Sequence, residues 1–167
     1  MAAVFPYGQR ERGTVMNHEE LAVQNFMSGY NCAQAVFLAF APEIGLEPDL
    51  ALRLSSSFGG GMGKLREVCG AVSGMLMAAG ALYGYTTPAD DVVKGQHYTL
   101  VQELAGRFRE VHGALTCREL LNRPGPESPI PDAFNAAVYA SRPCARFVGT
   151  AARILEEYMA EHPPKVR

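Results

Sequence analysis

Apolar residues recur at helical spacing along most of the chain. Between residues 17 and 40 they follow one another at steps of three and four, which places them on one face of an α-helix. Asn17 and Glu20 have the arrangement of a capping box, so we expect the helix to begin there. The Ser28-Gly29 pair is expected to bend or split this helix, and Pro42 is expected to end it.

Later helices are marked by prolines and capping side chains at their starts. Proline fits the first turn of a helix, and a Thr, Ser, Asp or Asn just before the first turn caps it. On this basis we predict helix starts at Pro48, at Pro88 behind the cap Thr87, at Cys117 behind the cap Thr116, and at Cys144 behind Pro143. In the helix that begins at Pro48, Leu50, Leu54 and Phe58 share one face.

A long uncharged apolar stretch covers residues 68–83 and follows a glycine-rich break at residues 59–63. It is shorter than the about 20 residues that cross a bilayer, so we interpret it as a buried central helix over about residues 64–83. Gly70 and Gly74 leave one helix face without side chains, where a second helix can approach closely. No segment alternates with the period of a strand. We therefore predict an all-α fold, a compact bundle of about five main helices around the central one.

Composition and charge are those of a globular protein and exclude some partners. The chain has 167 residues, 48% of them hydrophobic, and a net charge of −2. No run of Lys or Arg offers a footprint for nucleic acid, so we expect no nucleic-acid partner. No basic region precedes an apolar run near residue 1, which argues against a signal peptide. We expect a cytoplasmic protein with no membrane span, in which a loose leader (1–15) precedes one helical domain (16–162) and a short tail (163–167).

The candidate functional centre consists of the four cysteines, Cys32, Cys69, Cys117 and Cys144. The last two are predicted in the first turns of their helices, and Cys69 lies near the start of the central helix, beside Lys64 and Arg66. Helix N-termini and nearby cations stabilise a thiolate, which suits a nucleophilic thiol and equally a metal–thiolate centre. The simpler alternative is that each cysteine is a small buried hydrophobe. Because no Cys-x-x-Cys motif is present, any pair or metal site must be assembled by folding.

The ordered motifs around these cysteines are similar to those of a known family. They are Gly-Tyr-Asn-Cys-Ala-Gln-Ala-Val at residues 29–36, Phe-Gly-Gly-Gly-Met-Gly at 58–63, Val-Cys-Gly-Ala-Val-Ser-Gly at 68–74, Cys-Arg-Glu-Leu-Leu at 117–121, and Cys144. Over residues 17–160 the chain closely resembles the C_GCAxxG_C_C family of small redox-active proteins. The resemblance implies a redox role for all four cysteines. It also implies a bound prosthetic group such as an iron–sulfur cluster or another thiolate-bound metal.

Two other features have a functional and a structural interpretation. Gly59, Gly60, Gly61 and Gly63 are candidates for a nest that binds an anion or a cofactor. A tight turn between two helices is the favoured interpretation, because glycine is the default turn residue. His97 lies in the apolar stripe of its helix and could serve as a fifth ligand or a proton donor, although a satisfied core histidine is favoured.

Three hypotheses of function follow from the cysteines. The first is a redox protein that acts through thiols, with Cys69 as the reactive thiolate and Cys32 as its partner, acting on an unidentified redox partner or small-molecule substrate. The second is a metal or iron–sulfur protein in which all four cysteines are ligands. The third is a non-catalytic helical module whose cysteines are inert. A homodimer is a further expectation, based on the low charge content and the glycine face.

Overall fold

The fold is all-α, as the periodicity predicts. The computed structural model describes residues 16–130 and 133–165, and no β-strand occurs among them. The helices run over His18–Met27 (α1), Cys32–Ala39 (α2), Ala41–Ile44 (α3), Pro48–Ser55 (α4), Gly59–Met62 (α5), Gly70–Tyr83 (α6), Asp91–His112 (α7), Cys117–Leu121 (α8), Ala136–Ser141 (α9) and Cys144–Glu161 (α10). A short 3₁₀ turn, Ser56–Phe58, joins α4 to α5. The predicted leader over residues 1–15 lies outside the described residues.

The apolar helix α6 lies in the core of the bundle and packs against α2 and α10. Glycines make this close packing feasible, because a Cβ atom at Gly74 would lie 2.6 Å from the carbonyl oxygen of Ala33 and one at Gly70 would lie 2.9 Å from that of Phe58. The predicted close approach at this glycine face is therefore confirmed. None of the described helices is both long and apolar enough to cross a membrane.

The central helix begins later than its apolar run predicts. α6 starts at Gly70 rather than near residue 64, although its end agrees with the prediction. The preceding residues leave the helical path because Lys64 and Arg66 have left-handed backbone angles, with φ of +66° and +62°. This segment bonds to another part of the chain, since Cys69 N donates to the carbonyl oxygen of Leu115 at 2.8 Å. An apolar run indicates burial, and buried backbone is not always helical.

The first apolar stripe forms two helices, as the Ser28-Gly29 pair predicts. Ser28 is the C-cap of α1, and Gly29 has a φ of +104°, which turns the chain out of the helix. Asn31 then caps α2, whose last residue is Ala39. The expectation that Pro42 ends this helix is wrong, because Pro42 lies in the first turn of the separate helix α3, where its missing N–H has no helical partner to lose.

Helix α7 starts three residues later than predicted. Its cap is Asp90, whose carboxylate accepts from Val93 N at 3.0 Å, so Asp91 is its first residue. Thr87 and Pro88 lie in the preceding turn. A carboxylate at a helix N-terminus both accepts a free amide and favours the positive end of the helix dipole, which explains why Asp90 is used in place of Thr87.

Helix α4 begins at Pro48 as predicted, but Leu50 and Leu54 do not lie in the core. Leu50 and Leu54 are 40% and 49% exposed, and the buried face carries Ala51 and Ser55. The small residues lie on the face that meets the bundle because α4 approaches α2 closely there.

Candidate functional site

Cys32 occupies the first position of α2, behind a second capping box. Asn31 Oδ1 accepts from Gln34 N at 3.0 Å, and Gln34 Oε1 accepts from Asn31 N at 3.2 Å. Asn31 Nδ2 also donates to the carbonyl oxygen of Ser56 at 3.0 Å, and Gln34 Nε2 donates to that of Leu52 at 3.1 Å. The cap therefore ties the start of α2 to α4 and the turn that follows it. These bonds fix the backbone on which Cys32 stands.

Cys69 is the N-cap residue of α6 and is only 3% exposed. Burial raises the pKa of the Cys69 thiol to about 12, and the backbone amides of Ala71 and Val72 act in the opposite direction. Just before it, an isolated antiparallel bridge joins Val68 to Thr116. Because a thiol with so high a pKa is uncharged at neutral pH, Cys69 keeps its proton there.

Cys117 is the first residue of α8, as predicted. Thr116 Oγ1 accepts from Glu119 N at 3.3 Å and caps the helix, and Cys117 N donates to the carbonyl oxygen of Glu67 at 2.6 Å. The guanidinium of Arg66 donates from Nη1 to Cys117 Sγ at 3.4 Å. A cationic donor at this position stabilises negative charge on the sulfur.

Arg66 is a buried cation held on several sides. It is 7% exposed, and its Nη2 forms an ion pair with the carboxylate of Glu127. The hydrogen bond from Arg66 lowers the pKa of Glu127. The carbonyl oxygen of Arg66 accepts from both the backbone N and Nε of Arg118, each at 3.1 Å. Its own Nε is buried and has no hydrogen-bond partner among the described residues.

Cys144 is the first residue of α10 and follows Pro143, as predicted. A hydrogen bond from the Cys32 thiol lowers the pKa of Cys144 to about 7, against the effect of burial. The positive charges of Arg142 and Arg66 and the amide of Cys144 itself also lower this pKa. The pKa of this thiol is lowered as expected, but the Cys32 thiol is the largest cause and the helix start contributes less.

The four cysteines all lie at the N-terminal ends of helices, namely α2, α6, α8 and α10. We refer to Cys32, Cys69, Cys117 and Cys144 as the thiol cluster. The hydrogen bond to Cys144 raises the pKa of Cys32 well above its ordinary value, and the charges of Cys69 and Cys117 act in the same direction. All four are free thiols. The pKa of Cys144 is thus lowered, whereas those of Cys32 and Cys69 are raised.

The cysteine motifs match a known family. A family model described as "Putative redox-active protein (C_GCAxxG_C_C)" matches residues 30–158, well over half of the chain. The chain belongs to this family. No curated protein and no solved structure matches it. Membership of the C_GCAxxG_C_C family assigns the protein to a redox-active class and leaves its reaction to be argued from the site.

The metal centre implied by the C_GCAxxG_C_C resemblance does not fit the side chains as they stand. Within residues 16–130 and 133–165, no group of three or more His, Cys, Asp or Glu side chains is arranged to hold a metal ion. Ligation of a metal cluster needs several thiolates around one centre. Here the Cys32 and Cys144 thiols interact with each other, and Cys117 Sγ accepts a hydrogen bond from Arg66. Ligation of a metal by the four cysteines stays a prediction.

The glycine-rich segment, which includes α5, forms a left-handed turn and passes close to the cap residue Asn31 and to Cys117. Gly60, Gly61 and Gly63 have φ of +66°, +68° and +61°. A Cβ atom at Gly61 would lie 2.7 Å from Cys117 Cβ, and one at Gly59 would overlap the Asn31 side chain. This agrees with the interpretation of the segment as a tight turn. Cofactor binding by Gly59, Gly60, Gly61 and Gly63 stays a prediction.

Sequence reasoning missed several parts of the site. It placed Cys32 inside a helix, although Asn31 and Gln34 are spaced as a capping box and could have revealed the start of α2. It placed Arg66 beside Cys69, whereas the guanidinium bonds to Cys117. No local signal identifies the ion pair with Glu127, because a loop distant in sequence supplies that carboxylate.

His97 contributes nothing visible to the thiol cluster. Its ring packs edge-on against Tyr85, with the ring centroids 5.9 Å apart. It is absent from the groups that shift the pKa values of Cys32, Cys69 and Cys144.

Proposed function

We propose that this member of the C_GCAxxG_C_C family is a thiol–disulfide redox protein in which Cys144 is the attacking thiolate and Cys32 is the resolving thiol. The observation that carries the proposal is the mutual effect of these two thiols, since each is the largest cause of the pKa shift of the other. A disulfide between them would require Cα atoms about 4.4–6.8 Å apart. Both residues are partly exposed, so a substrate can approach them.

Cys144 is favoured over Cys69, which the sequence ranked first as the reactive thiolate. With a pKa of about 7, Cys144 is roughly half thiolate at neutral pH. Burial and a pKa of about 12 leave Cys69 protonated and shielded. An attacking thiol works best when its pKa is near the ambient pH, because it is then both ionised and nucleophilic.

The proposed reaction transfers two electrons from the pair to a substrate disulfide. The Cys144 thiolate attacks one substrate sulfur, so a mixed disulfide forms and the other substrate sulfur leaves as a thiolate. Loss of the negative charge on Cys144 removes the interaction that holds the proton on Cys32. Cys32 gives that proton to the departing thiolate and attacks Cys144 Sγ, which breaks the mixed disulfide and releases the second substrate sulfur as a thiolate that takes a proton from water. The products are a Cys32–Cys144 disulfide and the reduced substrate.

The substrate class is a disulfide on a small molecule or on a redox partner protein. We propose a cytoplasmic location, where thiol reductants return the oxidised pair to its dithiol form.

Differential alkylation tests the proposed pair. The protein is equilibrated in glutathione buffers of increasing oxidised fraction, quenched with acid, and labelled with N-ethylmaleimide under denaturing conditions. Peptide mapping by mass spectrometry should show Cys32 and Cys144 losing their label together and reversibly. Non-reducing digestion should recover a peptide in which the two residues are cross-linked.

The control is the Cys69→Ser/Cys117→Ser double variant, which keeps the proposed pair. It should still form the Cys32–Cys144 disulfide, whereas Cys144→Ser should not oxidise Cys32 reversibly. If Cys32 and Cys144 stay fully labelled in every buffer, while the protein retains its helical circular dichroism, the proposed function is wrong.

Elemental analysis tests the metal alternative separately. Iron, zinc and acid-labile sulfide are measured in protein purified without oxygen. Stoichiometric metal that is lost in each single Cys→Ser variant would favour ligation by all four cysteines over the thiol pair.

A further inference from the structure

The second half of the thiol cluster has a geometry of its own. The bridge between Val68 and Thr116 is made by two backbone hydrogen bonds, from Cys69 N to Leu115 O at 2.8 Å and from Cys117 N to Glu67 O at 2.6 Å. Cys69 and Cys117 therefore lie on opposite sides of the bridge, one on each of the two bridged segments, and are diagonal neighbours. In such a bridge, diagonal residues lie on the order of 7 Å apart.

Both cysteines are turned away from solvent at this bridge. Val68 is 39% exposed, whereas the next residue, Cys69, is 3% exposed, as the alternation of extended backbone requires. Cys117 is 6% exposed. Cys69 and Cys117 thus lie on the same, buried side of the bridge.

The buried guanidinium of Arg66 interacts with one member of this pair, Cys117. Arg66 Nη1 donates to Cys117 Sγ at 3.4 Å, and Arg66 is 7% exposed. Its Nε is buried without a partner among the described residues, so the guanidinium retains donor capacity inside the site. Arg66 holds a left-handed backbone angle, φ +62°, which a residue with a side chain rarely adopts. The structure therefore keeps a positive charge at Cys117 despite the conformational cost.

We propose that Cys69 and Cys117 are a second, buried dithiol, which accepts the disulfide formed by Cys32 and Cys144 so that the protein stores four electrons in its reduced state. The existence of the second dithiol does not depend on the proposed function. The transfer between the two pairs does rest on the proposed function, because that function forms the disulfide that is transferred.

The transfer is a balanced pair of exchanges. Cys117 Sγ, beside the Arg66 guanidinium, attacks Cys32 Sγ in the Cys32–Cys144 disulfide, and the Cys144 sulfur leaves and takes up the proton that Cys117 loses. Cys69 then gives its proton to Cys32 and attacks Cys117 Sγ, which breaks the Cys117–Cys32 bond. The first pair ends as a dithiol and the second as a disulfide, and no other oxidant is consumed. Both cysteines border the segment from Gly61 to Gly70, because a Cβ atom at Gly61 would lie 2.7 Å from Cys117 Cβ and one at Gly70 would lie 3.1 Å from Cys32 Cβ.

Disulfide formation between Cys69 and Cys117 requires a small backbone adjustment. Bridged cysteines have Cα atoms up to about 6.8 Å apart, so the diagonal pair must close by on the order of 1 Å. The segment that can move is the one before Cys69, which lies outside the helices.

Two complementary double variants test the proposal. Cys32→Ser/Cys144→Ser retains only the buried pair, and Cys69→Ser/Cys117→Ser retains only the pair of the proposed function. Each is oxidised in glutathione buffers, quenched, labelled with N-ethylmaleimide and weighed as the intact protein. The fully oxidised wild type should take up no label, against four labels when reduced. Cys69→Ser/Cys117→Ser should fall from two labels to none, without added glutathione mass. Cys32→Ser/Cys144→Ser lacks the pair that passes on the disulfide, so it should lose its two labels more slowly than the wild type loses those on Cys69 and Cys117.

The outcomes separate this inference from the proposed function. Two labels retained on Cys69 and Cys117 by the wild type in every buffer would overturn the buried dithiol, whereas two labels retained by Cys69→Ser/Cys117→Ser would overturn the proposed function alone. Non-reducing peptide mapping of the wild type is the second measurement, for use if a variant does not fold. A peptide that links Cys69 to Cys117 supports the inference, and an oxidised wild type with only a Cys32–Cys144 link contradicts it.

Discussion

Removing the Cys32 thiol should raise the pKa of Cys144. The hydrogen bond from Cys32 is the largest cause that lowers this pKa to about 7. Cys32→Ala deletes the donor and leaves Cys144 with the cations Arg142 and Arg66 and the helix amide. Cys32→Ser is the matched control, because its hydroxyl can still donate to the Cys144 sulfur at nearly the same position.

The size of the effect follows from the strength of such a bond. A hydrogen bond to a charged group contributes roughly 1.5–3 kcal/mol, and one pKa unit corresponds to about 1.36 kcal/mol, so the pKa should rise by about 1–2 units. A rise of about 1.5 units cuts the thiolate fraction at pH 7 roughly 15-fold. The remaining thiolate is about 5-fold more nucleophilic, because reactivity increases with pKa. The net slowing at pH 7 is only about 3-fold, which makes the titration midpoint the better readout.

The assay is pulsed alkylation with iodoacetamide between pH 5 and 10, with the Cys144 peptide quantified by mass spectrometry. The midpoint should lie near 7 in the wild type, about one unit or more higher in Cys32→Ala, and close to the wild-type value in Cys32→Ser. A Cys32→Ala midpoint that stays near 7, with helicity unchanged, would refute the view that the Cys32 thiol sets the reactivity of Cys144.

Three further results are expected. Gly61→Ala should lower the free energy of unfolding in urea more than Gly113→Ala does. Both variants place alanine at positive φ, at a cost of about 1–2 kcal/mol, but only the Cβ at residue 61 would overlap Cys117. Equal losses in the two variants would contradict this expectation. Stability should fall in alkali, because the stabilisation from the protonated Cys69 thiol is fully present below its unfolded-state pKa of about 8.5 and is lost as the pH rises towards its folded pKa of about 12. The loss is at most about 4–5 kcal/mol. Cys69→Ala should flatten this part of a thermal-unfolding pH profile, and an unchanged slope would contradict the expectation. Thr116→Ala should cost about 1 kcal/mol of unfolding free energy through the lost cap, and Thr116→Ser should recover most of it.

Local signals in the sequence identify most helix starts because a cap depends on a few neighbouring residues. Asn17, Pro48, Thr116 and Pro143 each mark the start that the structure has. Thr87 is the exception, because a better acceptor, Asp90, follows it within the same turn. Cys32 was misplaced for a related reason, since the apolar stripe continues through the break and hides the cap at Asn31.

The sequence by itself determined the all-α class, the buried apolar helix, the glycine face that meets α2, and the set of four cysteines that matches the C_GCAxxG_C_C family. These depend on periodicity, side-chain size and motif order, all of which are local. Only the tertiary structure decided which thiol is acidic. The pKa of Cys144 depends on the Cys32 thiol and on Arg66, and that of Cys69 on complete burial. Electrostatic interactions and desolvation depend on distance in space, so residues far apart in the chain fix the chemistry of the site.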